Sequence, residues 1–252
     1  MVLTIQGAPL IAYVLAAIRL LAWLVVVPPF SSRAVPGLAK VLLALGLAFA
    51  VAPSLAGHPA PTDTLALVVT AVQEVVIGST MGFVTYLVFA AVQAAGDLID
   101  VFGGFTLAAA FDPLNQTMNS VNGKLFSMLA TMLLFASNAH LIVIGGLLRS
   151  FSTLPVGSVW HPENATSVVT TTFSLFFTSA VQIALPLIGV LFLADLGLAL
   201  LTRVAPQLNA ITIMFPAKIG LTLLLVGLSF AVLPDALSRL LEILSQAIGA
   251  LT

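Results

Sequence analysis

The sequence predicts an all-α membrane protein, and three observations carry that prediction. Of 252 residues, 60% are hydrophobic and only 7% are charged, where soluble domains carry about 25% charged residues. The mean hydropathy is +1.19. The apolar residues also gather into about six blocks, at 8–28, 37–56, 65–95, 125–148, 168–201 and 208–233. Each approaches or exceeds the ~20 residues that a helix needs to cross ~30 Å of hydrocarbon. So few charges cannot build a surface for water, and one membrane domain over 1–252 is expected.

Taken in order, the first block begins in MVLTIQGAPLIAYVLAAIRLLAWLVVVPP, which has no basic leading region and no small-residue cleavage site. It reads as a retained first span. Proline-rich punctuation, PPFSSRAVPG at 28–37, separates it from the second block, and PSLAGHPAPTD at 53–63 precedes the third. The third and fifth blocks each run past ~30 residues, or roughly 45–50 Å at 1.5 Å per residue. The third contains Gln73 and Glu74, and the fifth Gln182, Pro186 and Asp195. A straight lipid-facing span is not built this way, so kinked helices or helical hairpins packed against protein are expected. SFSTLPVGSVWHPEN at 150–164 and RVAPQLN at 203–209 bound the fifth block. After Pro234, Leu237, Leu240, Leu241, Leu244 and Ile248 follow helical spacing, which predicts an amphipathic C-terminal helix over 234–252. A weak echo links the Arg19-to-Lys40 and Arg203-to-Lys218 regions, each an Arg, a proline-bearing turn, then Lys before a Leu-rich helix. Two similar hairpins or chance would both produce it. Arg33, Lys40, Lys124 and Arg203 favour one side of the membrane on an alternating count, and Arg149 opposes it.

The same composition excludes several classes. A net charge of −1 with no basic run offers no electrostatic handle on nucleic acid. Zero cysteines exclude disulfides, Cys-ligated zinc and thiol chemistry. The chain contains no HExxH, no GxxxxGK[ST] and no GxSxG, so zinc proteolysis, P-loop nucleotide binding and a nucleophile elbow have no motif. No enzymatic activity, metal or cofactor is expected. Arg19, Glu74 and Asp195 lie within apolar blocks, where a charge costs about 2.5–3.5 kcal/mol on insertion scales, so each needs a partner. Each is alone in its block, which favours a packing role over a proton relay. His140, close to Asn138, reads as a hydrogen-bonded packing residue, because metal sites want further His or carboxylates at helical spacing.

One stretch stands apart: GDLIDVFGGFTLAAAFDPLNQ at 96–116, with three of the nine acidic residues. Asp97 and Asp100 share a helix face at i,i+3 and read as the polar end of a helix. Gly103–Gly104 predicts a break. FTLAAAF then runs to a second stop at Asp112–Pro113. A short segment of small and apolar residues between two breakers suits a re-entrant or plug-like loop, tolerated at membrane depth only where protein or a cavity surrounds it. A plain turn is the alternative.

AGDLIDVFGGFTLAAAFDP resembles the central signature of the FliR family, called SctT in virulence injectisomes, the export-gate subunits of bacterial flagellar and type III secretion systems. Three further stretches agree in order. QEVVIGSTMGF at 73–83 is similar to the family's Glu–xxx–Gly…Gly–Phe segment. NAHLIVIGGLLRSFSTLPVG at 138–157 is similar to its Asn–x–His…Pro–x–Gly segment. ALPLIGVLFLADLGLALLTRVAPQLNAITIMFPAKIGL at 184–221 is similar to its Ala–Leu–Pro…Arg–x–x–Pro–Gln–x–Asn…Pro–x–Lys segment. The resemblance covers nearly the whole chain, and the family's frequent second His is Leu141 here.

The resemblance implies a non-enzymatic component of a helical, multi-subunit export gate in the bacterial inner membrane, within the flagellar basal body and its ring. It implies assembly with FliP-type and FliQ-type subunits and a FlhB-type switch protein, around a path for unfolded export substrates. It implies a pore-closing plug loop around 103–116, including Gly103, Gly104, Phe105, Asp112 and Pro113. It also implies inter-subunit or buried polar contacts at Arg19, Glu74, Asp97, Asp100, Asn138, His140, Asp195, Arg203, Pro206, Gln207, Asn209 and Lys218, with partners on other subunits. The flagellar use fits the Asn–x–His and RVAPQLN context better than the injectisome use. A secondary transporter, with broken segments at a midplane solute site, is the competing class.

Overall fold

The computed structural model describes residues 7–55, 61, 63–106, 120–158, 162–205 and 210–251. Among these residues the secondary structure is helical, with no strand. The helices are α1 Gly7–Val26, α2 Gly37–Leu55, α3 Thr64–Gly103, α4 Val121–Ala136, α5 Ala139–Thr153, α6 Pro162–Val204, α7 Ala210–Ser229 and α8 Leu233–Leu251. Four of them, α1, α2, α3 and α6, are long and apolar enough to cross a membrane. The total reaches six if the bent pairs α4–α5 and α7–α8 each count as one span.

The bends of the chain fall at the α4–α5 and α7–α8 pairs, and the long third and fifth blocks carry no reversal. Each is one continuous helix, of 40 residues in α3 and 43 in α6, the latter with Pro186 inside it. Gln73, Glu74 and Asp195 are met by neighbouring segments, as shown below, so no reversal of the chain is needed. The fourth block instead breaks in two at Asn138, whose φ of 57° is left-handed. Asn tolerates that region far better than the β-branched and aliphatic residues around it. In α8, Leu237, Leu240, Leu241, Leu244 and Ile248 are all buried. The predicted amphipathic face therefore packs on protein.

The chain forms two compact units. The first combines Met1–Val88, Ser137–Phe173 and Leu241–Thr252. Within it α1 and α2 form a tight hairpin, crossed by the Tyr13 hydroxyl donating to the Leu45 carbonyl at 2.7 Å. Leu20, Trp23, Leu24, Met81, Leu147 and Phe151 fill its core. The second unit combines Phe89–Ala136 and Ser174–Leu240, around Ile99, Phe126, Leu191 and Val226. Along α6 the buried residues are few: Ala165, Thr172, Ser179, Ala180, Ala184 and Leu191. Their spacing of about seven draws one narrow stripe. Phe173, Phe177, Phe192, Leu193 and Leu200 stand exposed around it.

Candidate functional site

In the first unit, Arg19 and Glu74 are each other's partner. Arg19 Nε donates to Glu74 Oε2 at 2.5 Å and Nη2 to Oε1 at 3.1 Å, with both residues fully buried. The remaining arm of the guanidinium reaches the Leu154 carbonyl at 2.9 Å, and Arg19 Cζ lies over the Phe151 ring, 4.4 Å from its centre. The Gly157 amide approaches Glu74 Oε1 at 3.4 Å, and Gln73 Nε2 donates to the Ser158 carbonyl at 2.7 Å. Two charges 55 residues apart thus tie α1, α3 and the turn after α5 into one knot. The fork of Arg suits this role because it satisfies a carboxylate and a carbonyl at once. The partners lie inside the chain, where the family resemblance points to other subunits. Sequence spacing alone cannot show that pairing.

The close approach of α1 to α3 is set by glycine. A Cβ at Gly78 would collide with the Arg19 backbone carbonyl, and one at Gly82 would sit 2.9 Å from Val26 Cβ. Gly78 and Gly82 form a G-xxx-G pair, the small-residue pattern that lets membrane helices touch backbone to backbone. This signal was available in QEVVIGSTMGF and would have located the contact.

The second unit holds the stretch at 96–116, and its polar groups cluster at the junction of α3 with α4. Asp100 is buried, and its carboxylate accepts three hydrogen bonds from the far side of the intervening segment. These come from Ser120 Oγ at 2.6 Å, the Asn122 backbone amide at 3.1 Å and Asn122 Nδ2 at 2.5 Å. Ser120 Oγ in turn accepts from the Gly123 amide at 2.8 Å, as an N-cap hydroxyl does for the third residue of a helix. Asp100 is therefore a carboxylate at a helix N-terminus, where unpaired amides and the helix dipole favour negative charge. Asp97 Oδ1 packs against Gly123 in the same first turn and takes no hydrogen bond.

Two glycines again fix the distance. A Cβ at Gly96 would lie 2.5–2.7 Å from the Asn122 carbonyl and the Gly123 Cα, all backbone atoms that cannot move aside singly. α3 ends at Gly103, which packs on the buried Thr222 of α7, and Gly104 takes a φ of 85°. The predicted break is there. Beside the junction opens a cavity of about 750 Å³, lined by Gln93, Asp97, Asp100, Phe105, Lys124 and Met128 among others. Asp112 and Pro113 lie outside the described residues.

The family model for bacterial export proteins, family 1, matches residues 10–244. The chain belongs to that family. It is similar to the flagellar biosynthetic protein FliR of Escherichia coli K12, 37% identical over 82% of this chain and 80% of that one. It is also similar to FliR of Bacillus subtilis 168, 28% identical over 88% and 87%. The Yop proteins translocation protein T of Yersinia pestis is 30% identical over 86% of this chain and 85% of its own. The family relatives thus include both flagellar and translocation proteins.

Other predicted site residues fall outside the junction. Lys218 Nζ bonds Asp195 Oδ2 at 2.7 Å within the second unit, partly exposed on both sides. That pair again lies inside the chain. Arg203, in the last turn of α6, is exposed, and the neighbouring Pro206, Gln207 and Asn209 lie outside the described residues. Asn138 is exposed and serves α5 through its backbone, its carbonyl accepting from the Leu141 amide at 3.0 Å. His140 is half-buried. Among the described residues no group of three or more His, Cys, Asp or Glu could hold a metal ion. Ser120, Asn122, Gly96 and Gly123 were missed by sequence reasoning. The signal for Ser120, Asn122 and Gly123 was S-x-N-G ahead of an apolar run, a helix start that points back at the acidic pair.

Proposed function

We propose that this chain is a subunit of the flagellar protein export gate. With FliP-type and FliQ-type subunits it forms a pore for unfolded export substrates, beside a FlhB-type switch protein in the inner membrane. The segment around 103–116 closes that pore. Membership of the export family supports the reading. The observation that carries the closure is the junction. The chain leaves α3 at a left-handed glycine and returns at Ser120, and Asp100 ties the two ends together. A segment anchored at both ends can be displaced by a passing chain without unfolding its supports. A chain of the length of 104–119 anchored at both ends can reach at most about 26–29 Å from its anchor, at ~3.3–3.6 Å per residue.

The exposed apolar sides of α6 supply the surface on which neighbouring gate subunits would pack. The flagellar assignment is favoured over the injectisome by the higher identity to a FliR protein, 37% against 30%. Deleting residues 104–111 tests the closure. Ion leakage through the assembled complex should rise while co-purification of the other subunits is kept. An unchanged leak in an assembled complex would sink the assignment. Complementation of export in a strain lacking FliR, with no rescue of an injectisome mutant, tests the system.

A further inference from the structure

We infer that the outward face of α2 and the turn before it form a lipid site: the apolar face lies against acyl chains, and Arg33 and Lys40 hold the phosphate of an anionic phospholipid. Three observations carry it. The first is the chemistry of the face. Every exposed residue of α2 from Val41 to Pro53 is apolar, Phe49 the most open at 75%. The buried side is a narrow seam of Ala44, Ala48, Val51 and Leu55. The exposed face of α6 differs, since it carries Thr166, Ser167, Thr170, Thr171 and Thr178. The second is length. α2 has 19 residues, about 28 Å at 1.5 Å per residue, against ~30 Å of hydrocarbon. α3 and α6, at 40 and 43 residues, are about twice as long.

The third is charge. No Asp or Glu precedes Asp63, while Arg19, Arg33 and Lys40 do. Arg19 is buried against Glu74, which leaves two cations at one end of the apolar face. Arg33 is exposed on an ordered turn, where Ser32 Oγ accepts the Ala34 amide at 3.1 Å and the Ser32 carbonyl accepts the Val35 amide at 3.2 Å. Lys40 is half-buried in the first turn of α2. Helical side chains lean toward the helix N-terminus, so its stem runs along the apolar face and its ammonium leads back toward that turn. A phospholipid satisfies both parts at once, whereas a free phosphate ion gains nothing from the apolar face. The site is independent of the pore reading, and it stands or falls without the segment around 103–116.

The chain has no cysteine, so a bimane label can be placed singly at Leu38→Cys or Phe49→Cys, both on the open face. The two sites lie about 16 Å apart along the helix. The labelled chain, assembled with its co-purifying subunits, is placed in nanodiscs of brominated lipid, which quenches a label only on contact. Bromines near the bilayer centre should quench the label at residue 49 more than that at 38, and bromines near the headgroup should do the reverse. Labels that are quenched in the isolated chain but not in the assembly would show that a subunit covers the face, and would overturn the inference. For the headgroup, the label at residue 38 should be quenched by brominated phosphatidylglycerol in about tenfold preference to brominated phosphatidylcholine, the combined scale of two basic residues at an anionic surface. Arg33→Gln with Lys40→Gln should bring that preference to within about twofold of unity and leave the acyl-chain quenching at residue 49 unchanged. A preference that survives the double substitution would overturn the phosphate site. Inorganic phosphate in excess over lipid, at matched ionic strength, should leave the preference intact. Competition by it would assign the cations to a free anion and overturn the lipid source.

Discussion

Replacing Glu74 by Met removes the countercharge from Arg19 at a site that water does not reach, since both residues are fully buried. Breaking a buried pair from one side costs about 3–5 kcal/mol, because the surviving charge keeps its desolvation and loses its partner. Arg19→Met strands the carboxylate and should cost a similar amount, roughly 4 kcal/mol. The double variant strands neither charge. It leaves the Leu154 carbonyl without its donor and forfeits the contact with Phe151, while the Gly157 approach to Glu74 is already long at 3.4 Å. One orphaned buried carbonyl costs about 1–3 kcal/mol. The double should therefore fall by about 2 kcal/mol, where simple addition of the singles gives about 8. Denaturant unfolding in mild detergent, followed by tryptophan emission, measures all three. Trp23, fully buried one turn beyond Arg19, lies close enough to report the site. Additive singles, or a single variant within about 1 kcal/mol of the parent, would refute the reasoning.

Gly96→Leu should prevent α3 from seating against α4 and cost several kcal/mol, read as loss of monodisperse protein in detergent, because the collision is with backbone. A parent-like elution profile would show that the crossing can open. Arg203→Glu should abolish co-purification of the other gate subunits, as an exposed cation at the end of α6 is available to a neighbour. Lys218→Met is the matched control: its pair with Asp195 is partly exposed, so no more than about 1 kcal/mol of stability and no assembly should be lost. Normal assembly of the Arg203 variant would reduce that residue to a helix end.

The helical class was legible because it follows from composition and block length, which depend on no long-range contact. The break at Gly103–Gly104 was legible for the same reason: it is a local property of two residues. The partnership of Arg19 with Glu74 was not, since a lone charge in an apolar block announces a need and not an address. Asp100 illustrates the same limit more sharply. From sequence it pairs with Asp97 on a helix face; in the fold it is the acceptor for a helix that begins 21 residues later. Its role appears only when Ser120 and Asn122 are read as a helix start. The interior polar residues of α3 and α6 fitted a kinked helix as well as a hairpin, and sequence alone did not choose between them. Threonine hydroxyls that bond back to the carbonyl four residues earlier, as at Thr170, Thr171, Thr172 and Thr178, let a helix run on through them.

The length of α6 also bears on how the cell must handle this chain. Its apolar stretch Ala165–Val204 is 40 residues, close to 60 Å of helix against a hydrocarbon slab of ~30 Å. To bury that length in lipid alone the helix would have to lean by about 60°, beyond the 0–40° over which membrane helices ordinarily tilt. An unaccompanied copy is thus mismatched to its own bilayer. Its abundance should follow the supply of whatever covers the surplus, and overproduction by itself should make it a substrate for membrane proteolysis.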